Sequence, residues 1–389
     1  MAQEQYGEGD EPSSSARSTS RLNRRSLLLG GAATAAIGVT VVVVAQGDEA
    51  QGDESQGNNS QGNDERLPSA APELLDLPVG DFDDVDGISA FTTPVDAHYI
   101  IDTALQRPRI ESDSYTLTIG GPFANRPFTI TYEQLMNREH ITRPLALVGV
   151  SNPVGGDLVG NAVWTGVPLT ELLNEAGIDD PTNPERQVFS RSVDGYTAGF
   201  QVPLAYDGRT AMVALAMNGE PLPLEHGFPA RLIVNGLYGY TSSTKWLESI
   251  EINDWRTNSG FWIPRGWAKE APVKTQSRID TPSSVGLLAA GSNPIAGVAW
   301  APGRGIDAVE VGIGSADDED DIEWFEAELA TVESAETWVQ WRYDWDAPVG
   351  DWIIQVRATD GDGVTQSEDR VPAAPNGAEG FDSAAARVA

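Results

Sequence analysis

Apolar and polar positions alternate along much of the chain, and the rhythm changes often enough to mark elements. Tyr115, Leu117 and Ile119 fall two residues apart, as do Phe128 and Ile130, with Gly120-Gly121-Pro122 between them. This predicts two strands joined by a turn, since a period of two belongs to a half-buried strand. A short helix is predicted over 133–136. Leu169, Leu172, Leu173 and Ala176 sit at helical spacing, with Gly177 as the stop. Residues 187–190 read as a strand, 203–206 as a short helix, and 212–217 as a buried strand ending in the turn Asn218-Gly219. Another strand is predicted over 247–252. From about Pro272 the pattern becomes a series of short alternating pieces, among them Ile295-Val298-Trp300, Val309-Val311-Ile313, Trp338-Gln340 and Trp352-Ile354-Val356. Such a series predicts a β-sandwich. Residues 378–389 read as a loose end.

The beginning of the chain follows different patterns. Residues 1–23 are rich in Ser, Glu and Gly and predict a disordered tail. Arg24 and Arg25 precede Leu27-Leu28-Leu29 and an apolar run that reaches Ala45. Paired arginines ahead of such a run resemble a twin-arginine export signal. The run is nearly long enough to span a bilayer, and the arginines before it predict a cytoplasmic N-terminus. No small-x-small site is found at Ala45-Gln46, so 24–45 is expected to remain as a membrane anchor, with the rest of the chain on the extracytoplasmic face. Residues 46–65 then read QGDEA-QGDES-QGNNS-QGNDE. With no apolar group larger than alanine, this repeat cannot pack, and 46–71 is expected to be a flexible acidic linker.

Composition narrows the chemistry. The 389 residues carry 58 acidic and 25 basic side chains, a formal charge of −33. That balance excludes a general nucleic-acid binder, which needs clustered Lys and Arg, and fits an acidic surface of the halophilic kind. There is no cysteine, so disulfides, thiolate metal sites and c-type haem attachment are excluded. Three histidines make a multi-histidine zinc or copper site a poor expectation.

Two glycine-rich runs carry the most information. Residues 148–169 read VGVSNPVGGDLVGNAVWTGVPL, and 226–246 read HGFPARLIVNGLYGYTSSTKW. Glycine permits close backbone approach, and the first run is expected to be a loop shaped to hold a ligand. With Met217-Asn218-Gly219 ahead of the second run, and Tyr99 with Ile101-Asp102-Thr103-Ala104-Leu105 upstream, these sequences resemble the molybdopterin-binding domain of the sulfite oxidase family. The resemblance extends from about Phe91 to the C-terminus. It implies an α+β fold: a mixed molybdopterin-binding domain over 72–271, then an immunoglobulin-like dimerisation domain over 272–389. It also implies a molybdenum-dependent oxidoreductase with a molybdopterin cofactor, catalysing two-electron oxygen-atom transfer as sulfite oxidation or sulfoxide reduction. The small oxyanion or sulfoxide substrate, a separate electron-transfer partner and a homodimer follow from the same resemblance.

Carried over position by position, the resemblance implies that Tyr99, Asp102, Asp194, His226, Arg231, Thr244 and Lys245 bind the cofactor. An anionic pyranopterin phosphate requires fixed cations and N–H donors. Read from the residues alone, His226 caps a turn, Arg231 pairs with Glu225 and Lys245 is solvated. A second stretch, FWIPRGWAKEAPVKTQSRID from Phe261, sets Arg265, Lys269, Lys274 and Arg278 among Trp262 and Trp267. Two readings stand side by side. Arg265 and Lys269 could line the substrate side and receive an oxyanion, or the run could brace two domains through cation–π contacts.

Three positions depart from the family pattern. Ile100 stands where an arginine is frequent, and Asn235 stands where proline is usual. Gly149 stands where the family carries the cysteine that ligates molybdenum. Glycine offers no donor, and thiolate is a soft, strong one. Ser151 and Asp157 are the nearby oxygen donors. The alternative is therefore a pseudoenzyme, with or without cofactor, acting as a binding or dimerisation module.

Overall fold

The computed structural model describes residues 77–283, 286–317 and 322–389, together with the two-residue strand Val42–Val43. The expected tail (1–23), most of the expected anchor (24–45) and the acidic linker (46–71) lie outside the described residues. Among the described residues, no helix is long and apolar enough to cross a membrane.

The described chain is mostly β-sheet with few, short helices. In the first sheet Phe128–Thr131, Thr116–Gly120, Leu247–Asp254, Arg186–Ser192 and Thr197–Gln201 lie side by side in that order. Thr116–Gly120 runs parallel to Leu247–Asp254, and the other neighbours are antiparallel. Leu117 and Ile119 are fully buried while Thr116 and Thr118 face solvent, so the predicted alternation is realised. The short helix Tyr132–Met136 begins with a capping box. Gln134 N donates to Thr131 Oγ1, and Thr131 N donates to Gln134 Oε1.

In the second sheet Glu220–Pro221, Ala211–Met217, Val159–Pro168 and Ile141–Val148 are neighbours, and Arg231–Val234 also pairs with Ala211–Met217. Every residue of Ala211–Met217 is buried, as its unbroken apolar run predicts. The helix Leu169–Ala176 buries Leu169, Leu172, Leu173 and Ala176, and Gly177 ends it at φ 70°. Those side chains join Leu117, Trp164 and Met212 in one core shared by both sheets.

Several expectations need correction. The run 148–169 is a loop only as far as Leu158; Val159–Pro168 is a buried ten-residue strand. Its glycines serve close contact: a Cβ on Gly160 would lie 2.6 Å from His98 Cδ2, and one on Gly166 2.2 Å from Val213 O. The strand Ile141–Val148 escapes a pattern reading because Pro144 interrupts it. It lies at the sheet edge in the strand order, where a missing N–H is tolerated. The predicted helix at 203–206 is a tight 3-10 turn, Val202–Ala205.

Beyond residue 275 two sheets face each other. One contains Gln276–Thr281, Gly291–Trp300, Trp338–Ala347 and Glu328–Leu329; the other contains Leu287–Leu288, Asp382–Val388, Gly350–Asp360, Ile306–Ser315 and Ile322–Glu326. Ile295, Trp341 and Trp345 of the first pack with Val311, Ile354 and Val356 of the second. The end expected to be loose is ordered. Asp382–Val388 pairs along Gly350–Asp360 and buries Ala386 and Val388 in this core. Its run of alanines lacks a strong strand preference, and burial against the neighbouring strand supplies what propensity does not. Phe82 and Val85 also pack on the sandwich, against Ala296 and Ala330. A third cluster joins Val148, Val150 and Val159 to Val298, Trp300 and Trp338, so the first glycine-rich loop springs from a rigid seam.

Candidate functional site

The loop 149–158 is held by its own backbone and by one asparagine. Gly149 N donates to Leu158 O at 2.9 Å, and Leu158 N donates to Asn152 Oδ1 at 2.9 Å. Facing it are the turn after Pro94, the second glycine-rich run and the stretch around Trp262. Together they enclose a cavity of about 300 Å³, at the small end of the usual range for ligand sites.

Arg231 begins the strand Arg231–Val234 and is drawn inward by its pairing opposite Ala214. The residue is 7% exposed, its guanidinium lies 4.9 Å from the Trp164 ring, and Nη1 donates to His226 O at 3.0 Å. Its Nε has no hydrogen-bond partner among the described residues. No carboxylate forms an ion pair with it there, and the pairing with Glu225 does not occur. Burial lowers its pKa to about 10, so the group stays cationic at neutral pH.

His226 donates from Nε2 to Val95 O at 2.9 Å, which leaves Nδ1 as the acceptor of the neutral ring. The His98 ring stands edge-on to that of His226, with centroids 5.5 Å apart. Burial, then the neighbouring Arg231 charge, lowers the His226 pKa to about 4. Burial, His226 and Arg231 lower that of His98 to about 3. Lys245 Nζ bonds the Asp102 carboxylate and donates to Glu225 O at 3.0 Å. Burial lowers its pKa to about 8 against the pull of Asp102. Arg107 Nε pairs with the other Asp102 oxygen at 3.2 Å. Asp194 accepts from Tyr196 N at 3.0 Å and from Thr103 Oγ1 at 3.3 Å. Burial raises the pKa of Tyr99, which keeps its hydroxyl protonated.

Of the sequence-predicted residues, Tyr99, Asp102, Asp194, His226, Arg231 and Lys245 converge on this cavity, with Gly149 and Ser151 beside them. Thr244 does not line it. It is fully buried behind the wall, with Oγ1 2.7 Å from Ser190 Oγ. Asp157 is also absent from the lining. Of the basic run, Arg278 joins the two expected domains, reaching Gly156 O and Ser89 Oγ as well as Asp280, through hydrogen bonds and not cation–π contacts, whereas Lys274 pairs with Glu379 within the second. Arg265 lies outside the cavity. Lys269 lies in a separate cleft of about 670 Å³ with Trp255, Arg209 and Arg304. The sequence reading missed His98 and Tyr240. His98 was legible only as one of three histidines, and Tyr240 sits unmarked inside a glycine-rich run.

The residues fit one end of a molybdopterin. A buried guanidinium with an unpartnered Nε, a lysine and two neutral imidazoles offer donors and acceptors to an anionic pterin phosphate. The metal end lacks its protein ligand. Gly149 supplies no donor, and among the described residues no group of three or more His, Cys, Asp or Glu could hold a metal ion. A Cβ at Gly149 would meet the Ile101 side-chain end at 2.9 Å and Leu158 Cβ at 3.4 Å, so a small side chain fits once that methyl swings aside.

Residues 104–262 match the family model for the oxidoreductase molybdopterin binding domain. The chain is 31% identical to a nitrate reductase [NADPH] of Phytophthora infestans over 198 residues, 45% of this chain and 21% of that protein. It is 29% identical to the sulfite oxidase of Arabidopsis thaliana over 269 residues, 58% and 68% of the two chains. With human mitochondrial sulfite oxidase it shares 26% over 312 residues, 68% and 55%. It therefore spans only part of most of these relatives, about a fifth of the nitrate reductase. Its fold is similar to the sulfane dehydrogenase SoxCD of Paracoccus pantotrophus, with a TM-score of 0.64 at 20% identity, covering 86% of this chain and 96% of that one. Residues 104–262 thus match a molybdopterin-binding oxidoreductase domain, and the chain is similar in sequence to sulfite oxidases and nitrate reductases.

Proposed function

We propose that the chain is an exported, membrane-tethered molybdopterin-binding oxidoreductase of sulfite oxidase type. The observation that carries this reading is Arg231, a buried guanidinium without a carboxylate partner among the described residues. An uncompensated buried charge is costly, and an anionic cofactor offsets that cost. Arg231 and Lys245 would hold the phosphate and pterin, His226 would accept from the pterin ring at Nδ1, and Asp194 and Tyr99 would orient it. His98, stacked on Tyr99 with centroids 5.0 Å apart and edge-on to Trp164, would keep that wall rigid. The bound group supplies two-electron oxygen-atom transfer. In one direction sulfite gains an oxygen from water and releases two protons and two electrons; in the other a sulfoxide loses one and takes them up. The electrons pass to or from a separate partner protein, and the sandwich, read as immunoglobulin-like, would mediate a homodimer.

Gly149 favours a second reading, a cofactor-binding or cofactor-free pseudoenzyme that serves as a binding or dimerisation module. Metal and pterin analysis of protein purified from its native membrane, together with a sulfite and sulfoxide turnover assay on the same protein, separates the two. Near-stoichiometric pterin and molybdenum are expected, and Gly149→Cys should raise metal retention and activity with little change in stability. Absence of both pterin and metal, in a host that makes the cofactor, would sink the oxidoreductase reading.

A further inference from the structure

The separate cleft of about 670 Å³ has no part in the function proposed above. The short helix Gly239–Ser242 and its flanks divide it from the first cavity: Gly239, Tyr240 and Ser243 face the cavity, whereas Leu237 and Thr241 face the cleft. Gly303, Arg304 and Glu336 of the sandwich form its other side. A cleft of this size at the junction of two expected domains is a usual setting for a ligand. Its cations are already committed. Arg209 Nε and Nη2 pair with Asp207 at 2.9 and 2.7 Å, and Nη1 donates to Asn235 O at 2.9 Å. Arg304 Nε pairs with Asp360 at 2.9 Å, and Nη2 donates to Val273 O and Thr275 Oγ1. Lys269 Nζ bonds Trp255 O and donates to Asn258 O at 2.7 Å.

Its acceptors are not. Glu270 and Glu336 line the cleft, and neither has an ion-pair partner among the described residues. The Glu336 carboxylate accepts from Thr210 N and Oγ1 at 2.7 and 2.6 Å, which leaves its charge unmatched. With Asp360 behind Arg304, the four carboxylates Asp207, Glu270, Glu336 and Asp360 stand against the three cations Arg209, Lys269 and Arg304. Asn235, one of the departures noted in the sequence, adds a free acceptor. The residue is fully buried, and its Oδ1 has no hydrogen-bond partner among the described residues. A Cβ on Gly303 would meet that oxygen at 3.8 Å and no other atom within 4 Å outside the adjoining residues, so Oδ1 points past a glycine of the cleft wall. Asn235 N donates to Thr210 O at 2.9 Å and Nδ2 to Glu336 O at 3.0 Å, which ties it to the same carboxylate's residue. A proline at 235 would lose the first bond and both side-chain groups. An unpaired buried acceptor is costly, and a donor from a ligand offsets the cost.

We propose that this cleft binds an organic ammonium ion, its N–H groups taken by Glu336 and Asn235 Oδ1, with Glu270 at the rim and the alkyl part against Leu204, Leu237 and Trp255. An ammonium group is three donors and no acceptor, which suits a site whose unspent groups are acceptors. An anion would find most of the donors taken and two carboxylates facing it. The field of a chain with a formal charge of −33 also draws cations towards the opening. This site is independent of the first cavity and of the chemistry proposed there.

Titration calorimetry on the full chain, at fixed ionic strength, tests this with putrescine, N-acetyl-lysine methylamide and butyrate. At least one amine should bind, and butyrate should not. Glu336→Gln and Glu270→Gln should each weaken amine binding about tenfold, the loss expected for one charge-assisted bond. Glu248→Gln, at an exposed position that does not line the cleft, should leave it unchanged. Glu270 is itself exposed, so its replacement reads binding and not folding. No binding of either amine, equal binding of butyrate, or folded Glu336→Gln and Glu270→Gln variants that bind unchanged would each overturn the proposal. An equal loss in Glu248→Gln would overturn it too, as the mark of loose attraction to an acidic chain. Putrescine binding more tightly than the blocked lysine assigns the cleft to a free amine, and the reverse order assigns it to a basic side chain of a partner.

Discussion

Arg231 concentrates the physical tension of the molecule in one side chain. It is 7% exposed and leaves Nε without a partner among the described residues. Charge-assisted hydrogen bonds contribute about 1.5–3 kcal/mol each, so Arg231→Gln should lower pterin retention by about tenfold or more, read as pterin per chain after gel filtration. Unchanged retention would remove Arg231 from the cofactor site. The histidines beside it make stability depend on pH. His98 and His226 titrate at about 3 and about 4 in the folded protein, against about 6.5 when unfolded. Burial lowers the pKa of His140 as well. Below about pH 6.5 the unfolded chain therefore binds protons that the folded chain refuses. Their contribution is whole above that pH and is lost as pH falls, at roughly 1.4 kcal/mol per pH unit for each of His98 and His226. Denaturant unfolding between pH 7 and pH 5 should report a steep fall. A flat profile there, above the range of ordinary carboxylates, would contradict the buried neutral state.

At the scale of elements, agreement between pattern and structure follows how local the cause is. The helix Leu169–Ala176 was legible because its apolar stripe and its glycine stop lie within nine residues. The strand Val159–Pro168 was hidden because Gly160 and Gly166 look like loop residues. Their reason is the approach of His98 and of the Val213 backbone from elsewhere in the chain. The final strand Asp382–Val388 was hidden for a related cause: alanine carries little strand preference, and only its seat between Gly350–Asp360 and Leu287–Leu288 makes it one. A chain truncated after Phe381 should accordingly lose more than about 3 kcal/mol, since it exposes the core row around Ala386 and Val388 and frees a sheet edge. Denaturant midpoints of the two chains measure this, and equal midpoints would mean that the strand is dispensable.

For the whole molecule, a formal charge of −33 opposes compaction. Screening shortens the reach of that repulsion from about 10 Å at 0.1 M salt to about 3 Å at 1 M. The melting temperature should therefore climb by several degrees between about 0.1 and 2 M KCl, with most of the gain in the first molar if repulsion is the cause. A melting temperature independent of salt would assign the acidity to solubility alone. The seam between the first glycine-rich loop and the sandwich is a property of this scale too. Val148 and Val150 pack with Val298, Trp300 and Trp338, so the loop that carries Gly149 is positioned by residues about 150 to 190 places away.

The sequence by itself determined the resemblance to molybdopterin oxidoreductases, the acidic charge, the absence of any thiolate, and six of the residues that meet at the cavity. These follow from residue identities and motif spacing, which need no coordinates. Only the tertiary structure decided that Thr244 stands behind the wall, that His98 joins Arg231, and that Arg265 and Lys269 turn to backbone carbonyls while Trp262 and Trp267 face the cavity. The direction of a side chain depends on the strand or turn that presents it and on the partner that satisfies it. Those partners lie far apart in the chain and become neighbours only when the sheets pack.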